Sequence, residues 1–380
     1  MRLDIRSGSQ VKFVKQGNLN EARSVKVNVL SNKIDVEGDE LALDDFQEYS
    51  VLSPDFSSTL NGNEYEPTMG ASSPLWKAKV NDSEILLGLD RAGNLEFMNV
   101  DTHDNHTKYI VYSKNTENWL DSTESDIAQN LTSFVNYGAI DSKTINNETD
   151  AGIKKRKRRR RRRKNRKNRN PKRSLSNKCS SFRQIDVAIV YDSSFCALVG
   201  SAEAAFNRIQ NIIGIASLKY EQPGMCVSLR LSALEGQCDS ATDPYKGMSS
   251  VSGCEGQGLL YEFKDYWELN RSPITRDTAH LFTARKMTDG LIGCAFIGTI
   301  CNPYFAYGIN AMQFNSDITH QSILFAHELG HNCGANHYHQ SKGYVMNPHI
   351  ALATNGFSQD SMDSMSDYLA PQQCLKTIYN

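Results

Sequence analysis

The first 178 residues of this 380-residue chain contain no cysteine, whereas nine cysteines follow from Cys179 onward. So uneven a distribution predicts two parts with different chemistry. Nine cysteines in about 200 residues are typical of a domain that folds in an oxidising compartment and forms several disulfides. An odd number leaves one thiol unpaired, or paired outside this chain.

Long apolar runs are also missing. No run of 18 apolar residues occurs, which argues against a membrane span. Residues 1–20 lack the apolar core of an export signal, because charges such as Arg2, Asp4 and Arg6 interrupt it. N-x-S/T sequons nevertheless start at Asn81, Asn105, Asn130, Asn147 and Asn270. We predict a glycoprotein that is secreted or lies at the extracellular face of a membrane, with either its true N-terminus missing from this sequence or an unconventional export route.

Acidic residues are absent from residues 154–173, which hold 16 lysines and arginines. Like charges repel and nothing apolar is available to bury, so this run is predicted to stay unfolded. One interpretation is a nuclear-localisation or nucleic-acid-binding tail. The other is a cleavage site for a furin-type convertase, which prefers R-x-K/R-R.

The surroundings of the run favour cleavage. Residues 160–163 fit the convertase pattern and residues 166–169 fit the looser R-x-x-R, which makes Arg163, Arg169 and Arg173 the candidate cleavage-linker residues. Outside the run, 26 basic residues face 43 acidic ones, which argues against a nucleic-acid partner. We therefore divide the chain into a prodomain (1–150), a polybasic linker (151–173) and a C-terminal domain (174–380).

The two folded parts show different periodicities. In the N-terminal part, residues 11–14, 25–29 and 95–100 alternate with the period of a strand and 109–112 form a further β-type run, which predicts a β-rich domain. The C-terminal part alternates between strands and helices. Its strands are predicted at 185–190, 227–231, 278–283, 291–300 and 307–314, and its helices at 201–218, 259–269 and 357–369, with one more helix that carries His327 and His331 and ends at Gly334. This order predicts an α/β fold with a twisted, mostly parallel five-stranded sheet.

The most specific motif spans residues 327–337, which read H-E-x-x-H-x-x-G-x-x-H. On a helix, His327 and His331 lie on one face and can bind a single ion. Gly334 can end the helix in a left-handed conformation, after which His337 supplies a third ligand. Three protein ligands leave the fourth position of a zinc ion open, as in catalytic sites.

Two neighbours of the histidines have predicted roles of their own. Glu328 lies about 100° around the helix from His327, so it misses the metal but can reach a water bound to it as the general base. Tyr338 follows the third histidine, and His339 remains an alternative third ligand. The other histidines, His280, His320 and His349, are expected to be ordinary surface or structural residues.

The motif, together with Met346 nine residues later, resembles the metzincin zinc proteases. Two further segments resemble their adamalysin (ADAM) branch: residues 277–283 look like H-D-x-A-x-L-L/F-T, and residues 291–301 look like G-L-A-Y-V-G-x-x-C. Residues 73–114 loosely resemble the propeptide of the branch that includes tumour necrosis factor-α converting enzyme. The resemblance implies a zinc-dependent endopeptidase for peptide or protein substrates, with a Met-turn at Met346 and a Cys301–Cys374 disulfide.

The resemblance also implies how a substrate binds, and the propeptide differs from the family pattern at one position. In the family, the strand at 291–300 is a sheet edge above the zinc, and extended substrates pair with it. Many family propeptides use a cysteine to block the zinc, but Asn136 stands near the matching place here. Latency is therefore expected from the prodomain covering the edge strand or filling the cleft, with Cys179 reaching the zinc as a rival. The alternative function is a catalytically weak, zinc-binding adhesion or decoy module.

Overall fold

The computed structural model describes residues 10–15, 22–28, 33–36, 39–42, 44–67, 75–80, 83–89, 95–101, 109–113, 136–141, 179–248, 258–271, 273–287, 290–316, 318–338, 343–349 and 356–379. Within these ranges the chain forms two sheets, with five α-helices around the second. The strands before the basic run are β1 (Gln10–Lys15), β2 (Ala22–Asn28), β3 (Lys33–Val36), β4 (Asp39–Ala42), β5 (Asp44–Tyr49), β6 (Leu52–Leu60), β7 (Asn63–Glu64), β8 (Leu75–Val80), β9 (Ser83–Leu89), β10 (Leu95–Asp101), β11 (Tyr109–Ser113) and β12 (Asn136–Asp141).

The elements after the basic run alternate between strand and helix. The strands are β13 (Ser181–Tyr191), β14 (Val227–Gly236), β15 (Thr278–Thr283), β16 (Leu291–Ile297), β17 (Tyr307–Ala311) and β18 (Lys376–Tyr379). The helices are α1 (Ser193–Val199), α2 (Ala202–Tyr220), α3 (Leu259–Asn270), α4 (Ile318–Asn332) and α5 (Gln359–Leu369), with a 3₁₀ turn at Met312–Phe314. Apart from α1, β18 and the 3₁₀ turn, each of these elements lies where the sequence predicts one.

The first sheet is antiparallel at every described pairing and runs in the order β4-β3-β2-β1-β11-β10-β9-β8-β5. All of its strands come from before the basic run. The four strands predicted there coincide with β1, β2, β10 and β11.

The second sheet runs in the order β12-β16-β17-β15-β13-β14-β6-β7, and β18 pairs with the start of β13. Its five central strands are the five that the sequence predicts, and β16 alone of these five runs antiparallel. The predicted five-stranded sheet is nevertheless too small. Strands from before the basic run extend it at both edges, because unpaired edge groups of β14 and β16 accept further strands.

Helices cover both faces of the second sheet. Alternate residues of β13 point to opposite sides: Val187 and Ile189 join one apolar core with α2, α4 and α5, whereas Ala188 and Val190 join another with α3. This two-sided burial explains the continuous apolar runs of the central strands. The first core lies between the sheet and α4, and therefore supports the predicted metal site.

The helix ends follow ordinary capping chemistry. Ser201 caps α2 by accepting a hydrogen bond from the backbone N–H of Ala204 at 3.1 Å, and Ser358 caps α5 through Ser361 at 3.2 Å. Asp192 caps α1 by accepting from Phe195 at 2.9 Å. These caps fix where each helix starts and hence how it lies on the sheet.

Disulfides join Cys179 to Cys226, Cys196 to Cys238 and Cys301 to Cys374. The rival expectation that Cys179 reaches the metal is therefore wrong, because its sulfur is already bonded. Among the described cysteines, the free thiol is that of Cys333, which is buried in the first core. No helix among the described residues is long and apolar enough to cross a membrane.

Candidate metal centre

Helix α4 carries the first part of the histidine motif and is buried along its whole length. Its polar side chains bond within the fold: the Ser322 hydroxyl donates to the carbonyl of Ile318 at 2.7 Å, and the Gln321 amide donates to that of Met312 at 2.7 Å. A helix enclosed in this way holds the side chains it carries in fixed positions.

Gly334 ends this helix as the sequence predicts. Its φ of +95° lies in the left-handed region, and the N–H of Ala335 reaches back to the carbonyl of Gly330 at 2.9 Å. A Cβ atom on Gly334 would also lie 2.9 Å from that of Tyr368. The glycine therefore allows both the reversal of the chain and the close approach of α5.

The reversal brings His337 back to the two histidines of the helix. The Nε2 atom of His331 lies 3.0 Å from Nε2 of His327 and 3.3 Å from Nε2 of His337. The candidate ligand atoms of all three residues lie within 4.8 Å of one another. Sequence reasoning thus selected three side chains that the fold places at one point.

The other ring nitrogens of the helical histidines face backbone carbonyls. Nδ1 of His327 lies 2.6 Å from the carbonyl of Val345, and Nδ1 of His331 lies 2.8 Å from that of Ala335. A carbonyl only accepts hydrogen bonds, so each Nδ1 carries the proton and each Nε2 presents its lone pair. Burial and the neighbouring imidazoles lower the pKa of both residues, to about 3 for His331, which keeps the rings neutral.

These features fit a tetrahedral zinc ion. With Zn–N bonds of about 2.0–2.1 Å, tetrahedral geometry puts ligand nitrogens about 3.3 Å apart. The two distances from Nε2 of His331, 3.0 Å to His327 and 3.3 Å to His337, are close to this value. The two helical imidazoles are neutral, and second-sphere carbonyls orient them. The residues that would hold the ion are therefore His327, His331 and His337.

Glu328 lies next to the first histidine and is completely buried. Its two carboxylate oxygens have no hydrogen-bond partner among the described residues. Burial raises the pKa of this carboxyl well above its usual value. A buried acceptor without a protein donor suits a group that takes its partner from the bound water or substrate.

Met346 lies beneath the histidines and is fully buried. Its sulfur is so near Gly330, the residue before His331, that a Cβ atom on this glycine would lie 2.6 Å from the sulfur. The carbonyl of Met346 accepts from the N–H of Tyr338, beside His337, at 2.7 Å. Met346 thus packs below the ligands and ties the third histidine to the turn.

Sequence reasoning missed Asn332, the residue after His331. Its amide donates to the carbonyls of Phe296 at 2.8 Å and Tyr307 at 3.1 Å, and its oxygen accepts from the Thr278 hydroxyl at 2.7 Å. One side chain therefore links the end of α4 to three strands. The sequence signal for this role was weak: Asn332 is a polar residue at the end of a helix that is otherwise expected to be buried.

His280, expected to be an ordinary surface or structural histidine, completes this arrangement. Its Nε2 lies 3.1 Å from the oxygen of Asn332, and its Nδ1 lies 3.2 Å from the amide of Asn310. Since the Asn332 oxygen accepts, Nε2 of His280 donates and Nδ1 accepts from Asn310. Burial lowers the pKa of His280 to about 3, so it stays neutral and can fill both roles.

The remaining predicted residues are placed as follows. Cys301 and Cys374 are bonded to each other. The candidate linker residues Arg163, Arg169 and Arg173 and the alternative ligand His339 lie outside the described residues.

Known proteins are similar in sequence to the C-terminal part of this chain, which carries the three candidate ligands. Residues 181–368 match the model of the Metallo-peptidase family M12, Reprolysin_5. The chain is 35% identical over 162 residues to the snake venom metalloproteinase trimerelysin-2 of Protobothrops flavoviridis, an alignment covering 42% of this chain and 76% of that protein. This chain belongs to the reprolysin family of metallopeptidases.

Two further relatives show the same reprolysin part. The chain is 28% identical over 158 residues to the snake venom metalloproteinase atroxlysin-1 of Bothrops atrox, covering 41% of this chain and 73% of that protein. It is 32% identical over 83 residues to the disintegrin and metalloproteinase domain-containing protein adm-2 of Caenorhabditis elegans, covering 22% of this chain but only 9% of that protein. The family match contains every candidate ligand and leaves the strands before the basic run outside it.

Proposed function

We propose that this reprolysin is a zinc-dependent endopeptidase, made as a latent precursor, that cleaves extracellular or membrane-protein substrates. The observation that carries this proposal is the convergence of three imidazoles, two of them oriented by backbone carbonyls, beside a buried carboxylate without a partner among the described residues. Metal ligands alone would suit a structural site, but the adjacent base suits hydrolysis.

Zinc and Glu328 have separate roles in the proposed reaction. When bound, zinc polarises the peptide carbonyl and lowers the pKa of water towards ~7. Glu328 accepts a proton from the attacking water and delivers it to the leaving nitrogen. Both of its oxygens are without a partner among the described residues and are therefore available for these two transfers.

Strand β16 is the proposed binding surface for the peptide. It follows the family's edge-strand pattern, and a strand edge offers backbone donors and acceptors to an extended chain without regard to sequence. Gly293 of β16 lies directly against Glu328. A peptide paired with β16 would therefore pass beside the proposed base.

Latency is supported by β12, which pairs in parallel with β16 from Asn136 opposite Leu291 to Asp141 opposite Ile297. In the family this strand is a sheet edge, and in the whole chain β12 lies along it, which supports the expectation that the prodomain covers the edge strand. Tyr137 stands opposite Gly293, so the covered stretch includes the position nearest Glu328. Residues 136–141 would thus exclude a substrate through backbone pairing, without a cysteine.

Activation is proposed to follow cleavage within residues 154–173 by a furin-type convertase. This cut would separate the N-terminal prodomain, which supplies β12, from the protease domain. Three disulfides among the described cysteines support folding in an oxidising, secretory compartment and hence a secreted or extracellular enzyme. No observation favours the adhesion or decoy alternative, which leaves the buried position of Glu328 without a purpose.

Two substitutions test the proposed mechanism. Glu328→Ala removes a base that is not a ligand, so the cleaved protein should keep one zinc per chain while kcat/KM on a quenched peptide falls by about 10²–10⁴-fold. His331→Ala removes a ligand, so zinc and activity should be lost together. Zinc is measured by atomic absorption after gel filtration.

Asp265→Ala is the matched control, because Asp265 is exposed, lies after the basic run and is carried by α3, on the other face of the sheet from α4. It should leave both readouts unchanged. Full activity in Glu328→Ala, or loss of zinc from it, would contradict the role proposed for this carboxylate.

A further inference from the structure

Strands β5, β6, β8 and β9, together with Val51 between β5 and β6, are here called the docking strands. They contribute to the core of the protease part, residues 174–380. Val51, Leu75 and Leu86 are at most 2% exposed, and all three belong to the same apolar core as the zinc helix α4. These side chains come from well before the basic run. The contacts that bury them are packing contacts and not covalent ones.

The three side chains converge on a glycine of α2. A Cβ atom on Gly214 would lie 2.9 Å from Leu86, 3.0 Å from Leu75 and 3.7 Å from Val51. A glycine inside a helix destabilises it relative to alanine, so its presence needs a reason. Close packing of the docking strands against this backbone provides one.

A buried charge on the protease side is satisfied from the same strands. Glu221 follows α2, and its carboxylate accepts from Lys77 at 2.7 Å and from the Tyr49 hydroxyl at 2.7 Å. Its remaining described donor is Ser217, at 2.8 Å. The docking strands thus supply the cation and a hydroxyl donor of a carboxylate that is only 6% exposed, and charge-assisted hydrogen bonds shielded from water are among the stronger contacts of an interface.

Backbone pairing provides a third contact. Strand β6 runs parallel to β14, with Leu52 opposite Leu231 and Leu60 opposite Gly236. The loop after β6 continues the contact, because the side-chain oxygen of Asn61 accepts from the N–H of Cys238 at 2.8 Å. Without β6, the backbone groups along this side of β14 would lose their partners.

Strand β12 differs from the docking strands in position. It pairs with β16 at the opposite edge of the same sheet. The two attachments of the N-terminal part are therefore separate, and one can be lost while the other remains.

We propose that the docking strands remain bound to the protease after cleavage as a non-covalent subunit, so that activation requires only the release of β12 from β16. The active enzyme is then a two-chain complex. This inference rests on the proposed cleavage within residues 154–173, and it assigns α2 and β14 as the binding surface for the cut N-terminal fragment.

The experiment uses the full chain with Glu328→Ala and a site for a sequence-specific protease placed in the linker. After complete cutting, the two fragments are diluted to about 10 nM and separated by size exclusion under native conditions. We expect both fragments in one peak at the position of the uncut chain. Elution of the N-terminal fragment by itself would overturn the proposal.

Two variants test the assigned surface. Lys77→Met leaves Glu221 without its cation and should raise the Kd of the cut fragments at least about 100-fold. Its control is Lys264→Met, which removes a lysine that is paired with Glu268 on α3 and should leave the Kd unchanged. Gly214→Leu fills the space used by the three apolar side chains and should release the fragment. Gly247→Leu is its control, because a Cβ on Gly247 meets nothing within 4 Å.

The readouts separate this inference from the proposed function. Association is measured on an inactive variant with an engineered cut, so it does not require peptidase activity or a convertase. The same cut in the active chain supplies the second measurement. Peptidase activity should co-elute with both fragments, and activity confined to fractions lacking the docking strands would contradict retention.

Discussion

Gly293 of strand β16 lies so close to Glu328 that a Cβ atom on the glycine would collide with Oε1 of the carboxylate. The same Cβ would lie 2.7 Å from Leu324. Both neighbours are on the buried helix α4, which cannot move away easily. The absence of a side chain at residue 293 therefore sets the position of the proposed base.

Gly293→Ala should consequently reduce activity without removing the metal. Displacing Glu328 by a fraction of an ångström to 1 Å is expected to lower kcat about 10²-fold, while the three histidines keep one zinc. Steady-state kinetics and zinc analysis on the cleaved protein measure both. Gly247→Ala serves as the control, and an unchanged kcat in Gly293→Ala would show that the carboxylate is not held by this contact.

Asn332→Ala should destabilise the protease part. The change leaves buried partners in β15 and β17 and the Phe296 carbonyl without their hydrogen bonds, so we expect a loss of about 3 kcal/mol in the free energy of unfolding. Urea unfolding of the Glu328→Ala protein avoids self-digestion during the measurement. Asn302→Ala, at an exposed asparagine, should change stability by less than about 1 kcal/mol.

The difference between Glu328 and Asn332 shows what the sequence can predict. The ligands and the base occupy one local motif, in which helix periodicity and Gly334 determine the geometry. Asn332 acts through residues 36 and 52 positions away, Phe296 and His280. Those contacts depend on how strands align in the sheet, which no local spacing encodes.

The same reasoning explains the error in the size of the sheet. The five central strands are apolar and bracketed by helices, so their periodicity identifies them. Strands β6 and β12 join the sheet through backbone groups that every residue carries. Pairing of this kind leaves little trace in the side-chain pattern, and the periodicity of the sequence therefore predicted neither strand as part of this sheet.

Asp277 should make stability depend on pH. Burial raises the pKa of its carboxyl from 3.8 to about 6, and the neighbouring Asp186 adds to the rise, against a backbone hydrogen bond from Asp186 and the charge of Lys376. The folded state thus binds this proton more tightly than the unfolded state. The contribution of this proton to the free energy of unfolding is fully present below about pH 3.8. It is lost as the pH rises through about 6, and the difference is about 2–3 kcal/mol.

Asp277→Asn tests this sign, because the amide cannot ionise but can still accept from the N–H of Asp186, now at 2.8 Å. Urea unfolding of the Glu328→Ala protein between pH 4 and 7 is compared with and without the substitution. Asp277→Asn should remove the part of the pH dependence that comes from this carboxyl. At neutral pH the protein with this substitution should be more stable than the protein without it. An identical pH profile would contradict the raised pKa.

Maturation should produce a new N-terminus inside or directly after the basic run. A run that repels itself stays accessible, so a furin-type convertase is expected to cut where the arginine patterns end. N-terminal sequencing of the secreted protein should find a start between Lys164 and Ser174. A mature protease chain that begins before Lys154 would be incompatible with this maturation.

Latency should be insensitive to thiol reagents. The disulfide of Cys179 and the burial of Cys333 leave no accessible thiol among the described cysteines to hold the metal. Treatment of the uncut chain with an organomercurial should therefore not activate it. Peptidase activity released by the mercurial would restore a cysteine mechanism.

Disruption of β12 should activate the uncut chain instead. Successive N–H groups of a strand point to alternate sides, so Ala139→Pro combined with Ile140→Pro removes one donor on the side of β16 and breaks the pairing. We expect peptidase activity without cleavage of residues 154–173, approaching that of the cut enzyme. Leu41→Pro with Ala42→Pro, in edge strand β4 of the other sheet, is the control and should remain latent. If the β12 variant also stays latent while binding zinc, the covering of β16 is not what restrains the enzyme.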